Sequence, residues 1–218
     1  LINSNLFKQG NFSIQDPAAG LVVKLLDPQK NEIIVDACAA PGGKSSFIAQ
    51  IMENSGKIMA YDSDINRLNK YAKGMAKLKI DNVDAQMMDM TISRIPMTDK
   101  VLMDVPCTGT GVMSKRADLR WRRSIQSLYE MVNTQHDILF NLSKYVNKGG
   151  IIVYSTCSLE EEENWQVINK FLQSNKEWEV EPADKFIPKE FIDKKGALFT
   201  FPPNNGIDGG FAVRLIKR

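Results

Sequence analysis

The stretch Glu32-Ile-Ile-Val-Asp-Ala-Cys-Ala-Ala-Pro-Gly-Gly-Lys44 decides the fold of this chain. Its first half is apolar and rich in β-branched side chains, so it predicts a buried strand over residues 32–37. Its second half turns through two glycines into a helix that we expect to run from Lys44 to about Glu53. A buried strand that leads directly into a helix is typical of a parallel α/β sheet.

The rest of the chain repeats this alternation. We predict further helices over residues 16–26, 64–77, 125–146 and 160–173, the first with Asp16 as N-cap and Pro17 at its first position. We predict further strands over residues 57–61, 83–88, 100–105, 151–155, 178–180 and 211–216, with 182–210 as a long connection. Because such alternation gives parallel strands joined by right-handed crossovers, the pattern predicts a doubly wound sheet.

Composition favours one soluble α/β domain over residues 1–218, because 43% hydrophobic content in 218 residues can build one substantial core. The chain has no bilayer-length apolar run and no signal peptide, so we expect a cytoplasmic monomer that contacts no membrane. Three cysteines without a C-x-x-C pair and a single histidine, His136, lack the common zinc spacings, so we expect no metal site. Since residue 1 is Leu, we also expect the chain to belong to a longer protein.

The glycine turn after the first strand is the first chemical motif. Small residues from Cys38 to Gly43 let the backbone approach a ligand closely, and the helix that follows offers free N–H groups. The turn therefore predicts a site for a nucleoside-type cofactor, with a purely structural turn as the alternative. A P-loop is excluded because Cys38 stands where that motif needs a glycine, and no G-x-G-x-x-G is present.

An acidic residue closes each of the next three predicted strands. Asp62 lies about 20 residues beyond Gly43, the spacing at which an acid accepts hydrogen bonds from a ribose. We expect Asp89 to receive an adenine amino group and Asp104 to face an ammonium group or a base edge. The alternative for each is a helix N-cap, which we prefer for Asp64.

Two more cysteines, Cys107 and Cys157, each follow a predicted strand. Since ligands gather at the carboxyl ends of strands in an open α/β sheet, we expect the two thiols to share one crevice. A basic stretch with one tryptophan begins shortly after the first of them and suits RNA phosphates and base stacking: Lys115, Arg116, Arg120, Trp121, Arg122 and Arg123. Its alternative is a solvated helix start whose tryptophan packs into the core.

Four segments together resemble the RNA 5-methylcytosine methyltransferases, most closely the bacterial ribosomal RNA branch of Sun/Fmu/RsmB-type proteins. They are Asp36-Ala-Cys-Ala-Ala-Pro-Gly-Gly-Lys44, Asp104-Val-Pro-Cys107-Thr-Gly-Thr-Gly111, Arg116-Ala-Asp-Leu-Arg-Trp121, and Tyr154-Ser-Thr-Cys157-Ser158 followed by Glu161-Glu-Glu-Asn164. The resemblance extends from about Gly10 to Lys217. It implies a Rossmann-like S-adenosylmethionine-dependent methyltransferase domain whose mostly parallel, doubly wound sheet has an antiparallel last strand.

The resemblance also implies roles for individual residues. Cys157 is the expected nucleophile, Cys107 the residue that assists product release, and Asp104 the group that stabilises the adduct at ring nitrogen 3. The implied contacts of S-adenosylmethionine are Cys38, Ala39, Ala40, Pro41, Gly42, Gly43, Lys44, Asp62, Asp89 and Asp104. We expect Glu160 to Glu163 to cap the next helix and point to solvent, away from Cys157, and His136 to have no catalytic part.

The chain departs from the family pattern at two places, with Val105 where the family usually has Ala and Ala117 where it usually has Pro. Relatives usually carry an N-terminal RNA-binding region resembling the antitermination factor NusB, which this sequence lacks. Structured ribosomal RNA is the expected substrate, with transfer RNA as an alternative. The motifs also leave open DNA methylation, with the Pro-Cys thiol as nucleophile, and an inactive cofactor-sensing module that binds RNA.

Overall fold

The computed structural model describes residues 1–218 and contains eight strands in one sheet. The strands are β1 (Ile33–Asp36), β2 (Lys57–Asp62), β3 (Val83–Met87), β4 (Thr98–Asp104), β5 (Val146–Thr156), β6 (Trp178–Glu181), β7 (Leu198–Thr200) and β8 (Gly210–Lys217). The helices are α1 (Asn5–Lys8), α2 (Pro17–Leu26), α3 (Gly43–Ile51), α4 (Ile65–Lys77), α5 (Leu119–Arg122), α6 (Ile125–Leu142), α7 (Trp165–Ser174) and α8 (Pro202–Asn205).

The strand order is β3-β2-β1-β4-β5-β8-β6, and β7 pairs with the free part of β8. Strands β1 to β5 pair in parallel with their neighbours, whereas β8 runs antiparallel to β5, β6 and β7. The predicted doubly wound sheet with an antiparallel last strand is therefore confirmed. The order reverses between β1 and β4, and ligands bind at such a switch point.

Helices cover both faces of the sheet. Leu25 of α2 and Ile48 of α3 are buried against Ile34 of β1 on one face. On the other face, Leu139 of α6 and Ile168 of α7 share a core with β1 and β4. Burial on both faces explains why the parallel strands are continuous apolar runs. None of the helices combines the length and the apolar character that crossing a membrane requires.

Helix starts follow their capping residues. Asp16 accepts a hydrogen bond from the Ala18 N–H and begins α2, as predicted, and Asp64 accepts from the N–H groups of Asn66 and Arg67 and begins α4. The predicted helix over 160–173 begins only at Trp165, because residues 160–164 form turns. The predicted helix over 125–146 ends at Leu142, and Val146 already belongs to β5.

The predicted connection over 182–210 contains more structure than expected, because three residues of it pair with β8 as strand β7. The Gly-Gly pair that ends this segment allows a close approach of two chains. A Cβ atom on Gly111 would lie 2.3 Å from the carbonyl oxygen of Gly209. Gly111 donates its N–H to the Cys157 carbonyl, and Gly209 donates to the Gly111 carbonyl, both at 2.9 Å. The two glycines therefore fasten the loop after β4 to the end of β5 and the start of β8.

Gly111→Ala tests this approach. The added methyl group meets backbone rather than a movable side chain, so we expect a loss of about 1–3 kcal/mol in the free energy of unfolding. Gly20→Ala is the matched control, since its Cβ would meet Phe47 at an ordinary 3.7 Å within α2. We expect that change to be neutral or to stabilise by about 0.5–1 kcal/mol. Urea unfolding measures both, and equal stability of the two variants would contradict the close approach.

Candidate active site

The carboxyl ends of β4 and β5 bring the two predicted thiols together. Asp104 pairs in register with Ser155, so the two strands leave the sheet at the same height. Cys107 and Cys157 follow within three residues, and their Sγ atoms lie 3.2 Å apart. The predicted crevice shared by the two thiols is confirmed by this distance.

The two thiols differ in acidity. The hydrogen bond between Cys107 and Cys157 is the largest effect on both: it lowers the pKa of Cys157 and raises the pKa of Cys107. Burial raises both values, Asp104 raises that of Cys157, and Lys44 lowers it. The net result is a lowered pKa for Cys157 and a pKa for Cys107 well above its usual range. Cys157 is thus the more readily ionised thiol of the pair.

Lys44 and Asp104 form an ion pair beside Cys157. Lys44 Nζ donates to Asp104 Oδ2 at 2.6 Å, and Ser155 Oγ donates to the other carboxylate oxygen at 2.9 Å. Burial is the largest single effect on Lys44 and lowers its pKa, but the charge and hydrogen bond of Asp104, together with the charges of Asp36 and Cys157, make the net shift upward. Lys44, Asp104 and Cys157 line one cavity of about 220 Å³.

The glycine turn is held in a shape that needs its glycine. Gly42 has φ +106°, and a Cβ atom there would lie 2.6 Å from Met75 Cε. Asp62 accepts from the Ala40 N–H at 3.2 Å, and Arg67 pairs with Asp62 and also donates to the Ala40 carbonyl. The turn is therefore fastened to the end of β2, and an incoming hydroxyl group would share the Asp62 carboxylate with these donors.

A second cavity, of about 430 Å³, joins the glycine turn to the thiols. The structure brings these predicted cofactor and catalytic residues to its lining: Cys38, Ala40, Pro41, Asp62, Asp89, Asp104, Cys107 and Cys157. Asp89 is exposed and accepts from the N–H and hydroxyl of Thr91, so it caps a turn while facing the cavity. Lys44 and Gly43 lie in the adjoining space below the turn. Carboxylates beside a glycine-rich turn suit a ligand that carries both a positive charge and a ribose, because a carboxylate attracts the charge and accepts hydrogen bonds from the ribose hydroxyl groups.

Asp36 lies buried beneath the same turn. Ser45 Oγ donates to its Oδ2 at 2.5 Å, whereas its Oδ1 has no hydrogen-bond partner. Burial is the main cause that raises the pKa of Asp36 to about 7; the Ser45 hydrogen bond lowers it, and the charges of Asp104 and Asp62 raise it further. Burial also raises the pKa of the Cys38 thiol, which fits an inert cysteine.

The predicted RNA-binding stretch divides into two groups. Lys115 is paired with Asp16 at 2.6 Å and with Asp208 at 2.8 Å, and Arg123 donates to the carbonyls of Thr108 and Cys107. These two cations therefore hold loops together.

The remaining residues of the stretch face solvent. Arg116 and Arg122 lie within 4 Å of the single carboxylate of Asp118, and Arg120 forms no ion pair. Trp121 is 89% exposed, so the alternative in which it packs into the core is wrong.

The expectation that Glu160 to Glu163 all point to solvent is wrong for Glu163. Its side chain is fully buried and accepts from the Thr108 N–H at 2.8 Å and from Gln135 Nε2 at 2.9 Å. In a run of four glutamates, the sequence does not indicate which side chain will be buried. His136 stacks on Phe140 of its own helix and lines neither cavity, as expected.

The strand order, the glycine turn and the acid that ends β2 define the Rossmann-like fold of the S-adenosylmethionine-dependent methyltransferases. The model of the family described as 16S rRNA methyltransferase RsmB/F matches residues 23–216. The chain belongs to this family.

Individual relatives agree with the family match. The probable ribosomal RNA small subunit methyltransferase B of Synechocystis is 35% identical over 97% of this chain and 49% of its own length. The tRNA (cytosine(72)-C(5))-methyltransferase of Pyrococcus horikoshii is 31% identical over 97% of this chain and 54% of its own length. The crystal structure of NSun6 from Pyrococcus horikoshii with SFG superposes with a TM-score of 0.89 at 30% identity, covering all of this chain and 56% of that one. The chain thus spans about half the length of the curated relatives it matches.

Asp36→Asn tests the buried carboxyl group. Between about pH 4 and 7 the folded protein keeps a proton on Asp36 that the unfolded chain has lost, so stability falls as pH rises through this window. The Asn variant keeps an acceptor for Ser45 but does not titrate. We expect its stability relative to the wild type to rise by on the order of 2 kcal/mol from about pH 5 to about pH 8, at 1.36 kcal/mol per pKa unit.

Urea unfolding at several pH values measures this difference. The control is Asp64→Asn, because Asp64 is an exposed N-cap that Asn can replace. A constant difference between Asp36→Asn and wild type across the same window would show that Asp36 does not retain its proton.

Proposed function

We propose that this chain is the catalytic domain of an RNA (cytosine carbon-5) methyltransferase that acts on ribosomal RNA and uses S-adenosylmethionine. The observation that carries the proposal is the 3.2 Å contact between the thiols of Cys107 and Cys157, which line the same cavity as the glycine turn. Cytosine methylation at carbon 5 needs one thiol to activate the ring and a second group to release the product. The ribosomal substrate is supported by the family description and by the names of its relatives.

S-adenosylmethionine supplies an electrophilic methyl group, and this chain offers it a site with the right charges. The residues that would hold it are the turn from Cys38 to Lys44 with Asp62, Asp89 and Asp104. The φ of +106° at Gly42 packs the turn against Met75 and Tyr71 and leaves its neighbours Pro41 and Gly43 lining the cavities, where the carboxylates favour a cation. A relative of known structure was solved with SFG at 30% identity, which supports the same site here.

The target cytosine fits where the two cavities meet, because Asp104 and Cys157 line both. The thiolate of Cys157 adds to carbon 6 of the ring, and the electron pair this pushes onto carbon 5 makes that atom nucleophilic. Asp104, held by Lys44 and Ser155, lies where it can stabilise the ring at nitrogen 3. After methylation, Cys107 or a water beside it removes the carbon-5 proton, and the bond from carbon 6 to Cys157 breaks.

The acidity of the thiols bears on the competing mechanisms. A DNA-type mechanism uses the Pro-Cys thiol as nucleophile, but that thiol, Cys107, has the raised pKa. An inactive binding module has no need of two thiols in contact.

Transfer RNA remains a second candidate substrate, favoured by the relative named tRNA (cytosine(72)-C(5))-methyltransferase. We also propose that the protein works as a monomer in the cytoplasm, where its three free cysteines stay reduced; light scattering tests the first point.

Replacing the two thiols separately tests the mechanism. Cys157→Ala removes the group that bonds to carbon 6, so we expect no methylation of structured RNA and no covalent complex. Cys107→Ala leaves that bond able to form but not to break, so we expect an RNA–protein adduct that survives denaturing electrophoresis. Duplex DNA of the same sequence should be inert. An adduct with Cys157→Ala alone would reverse the assignment, and full methylation by both variants would rule out the thiol mechanism.

The exposed part of the basic stretch is the expected RNA contact. Trp121→Ala should weaken RNA binding by about 1–3 kcal/mol through the loss of base stacking. Arg120→Ala should flatten the salt dependence of binding by about one unit of slope. Arg218→Ala is the matched control, because Arg218 is an exposed arginine at the far end of β8, across the sheet from the thiols. Fluorescence anisotropy measures all three, and equal salt slopes for Arg120→Ala and Arg218→Ala would remove the stretch from the RNA site.

A further inference from the structure

The loop that carries Cys107 is fixed by side chains from two sides. Gln135 of α6 donates to the Pro106 carbonyl at 2.9 Å. On the solvent side, Arg123 donates through Nε to the Thr108 carbonyl at 2.6 Å and through Nη2 to the Cys107 carbonyl at 3.3 Å. The backbone around this thiol is therefore held firmly in place.

Glu163 is the buried acid at the centre of this arrangement. Its Oε1 accepts from the Thr108 N–H and from Gln135, and its Oε2 accepts from the Thr108 hydroxyl. Both carboxylate oxygens therefore accept hydrogen bonds, which is how acidic side chains are usually satisfied when buried. Tyr154 below it donates to the Glu163 backbone carbonyl at 2.6 Å. No cation pairs with this carboxylate, so its charge is left to act on its neighbours.

The charges around the two thiols are unequal. Cys157 faces the Lys44–Asp104 ion pair, in which a positive and a negative charge lie 2.6 Å apart and largely cancel. Cys107 faces Glu163 from the turn before α7, the Arg123 guanidinium on its carbonyl side, and the buried Tyr154 hydroxyl. The charge of Glu163 is one of the causes that raise the pKa of Cys107, after the hydrogen bond to Cys157, burial and the charge of Cys157. Glu163 is not among the largest causes that shift the pKa of Cys157.

We propose that Glu163 is a positioning residue that keeps the proton on Cys107 and turns this thiol towards Cys157 as a hydrogen-bond donor. Two thiols 3.2 Å apart share one proton once either ionises, and in equal surroundings either sulfur would hold the charge. The uncompensated carboxylate next to the Cys107 loop places the charge on Cys157. The naming of Cys157 as nucleophile rests on the proposed function, but the location of the proton does not.

Alkylation by iodoacetamide, without RNA, tests the location of the proton. Only a thiolate displaces iodide, and peptide mass spectrometry assigns the initial rate to each of the three cysteines. In the wild type near neutral pH we expect Cys157 to react at least about tenfold faster than Cys107, which corresponds to one pKa unit. Glu163→Gln should raise the ratio of Cys107 to Cys157 labelling by about tenfold.

Two further variants separate charge from packing. Glu163→Asp keeps the charge, so its labelling ratio should stay closer to the wild type than to the Gln variant. Glu161→Gln removes an exposed charge two residues away and should leave the ratio unchanged. A folded Glu163→Gln protein with the wild-type ratio would overturn the proposal. If the Glu163→Gln variant does not fold, the wild type alone still tests the proposal, because equal alkylation of Cys107 and Cys157 would overturn it.

An RNA arm distinguishes this proposal from the proposed function. With a cytosine-containing structured RNA, we expect the covalent adduct of Glu163→Gln to be shorter-lived than that of the wild type, because more of its Cys107 is present as the thiolate that removes the carbon-5 proton. A wild-type protein that forms no adduct with RNA, but whose labelling ratio still responds to Glu163→Gln, would refute the proposed function and support the proton assignment.

Discussion

The parallel pairing of β4 with β5 is the constraint on which the site depends. Its register sets Asp104 beside Ser155, and the chain then leaves both strands within three residues of a cysteine. A slip of one residue would turn Asp104 to the opposite face and separate it from Lys44. The Gly111 N–H, which donates to the Cys157 carbonyl, holds the two exits at this spacing, and a side chain at Gly111 would not fit against the Cys157 carbonyl or Gly209. The 3.2 Å contact of the thiols is thus a consequence of sheet register.

The charges around the glycine turn then determine which of its acidic groups keeps a proton. Three carboxylates surround the glycine turn, Asp36, Asp62 and Asp104, and only Lys44 and Arg67 oppose them. One of the three, Asp36, is raised to a pKa of about 7 because its surroundings already contain negative charge and little water. Asp89 adds a further acid at the cavity without a paired cation, and this supports the proposed S-adenosylmethionine, which carries positive charge.

Much of this arrangement was predictable because it follows the backbone. Parallel strands buried on both faces are continuous apolar runs, and the cysteines and Asp104 stand at their ends. Glu163 escaped prediction because its partners, Thr108 and Gln135, come from distant segments. The same holds for Lys115, whose carboxylates belong to residues 16 and 208. Strand β7 was missed because three residues are too few to show a period of two.

The coupling of the two thiols also orders the steps of the proposed reaction. While Cys157 is a free thiolate, its hydrogen bond and its charge help burial and Glu163 to keep the proton on Cys107, so that Cys107 cannot act as a base. When Cys157 bonds to carbon 6, that charge passes into the ring, and both effects on Cys107 end. Cys107 then loses its proton more easily, while the charge of Glu163 keeps the resulting thiolate a strong base. The base for product release therefore appears only after the nucleophile has been used.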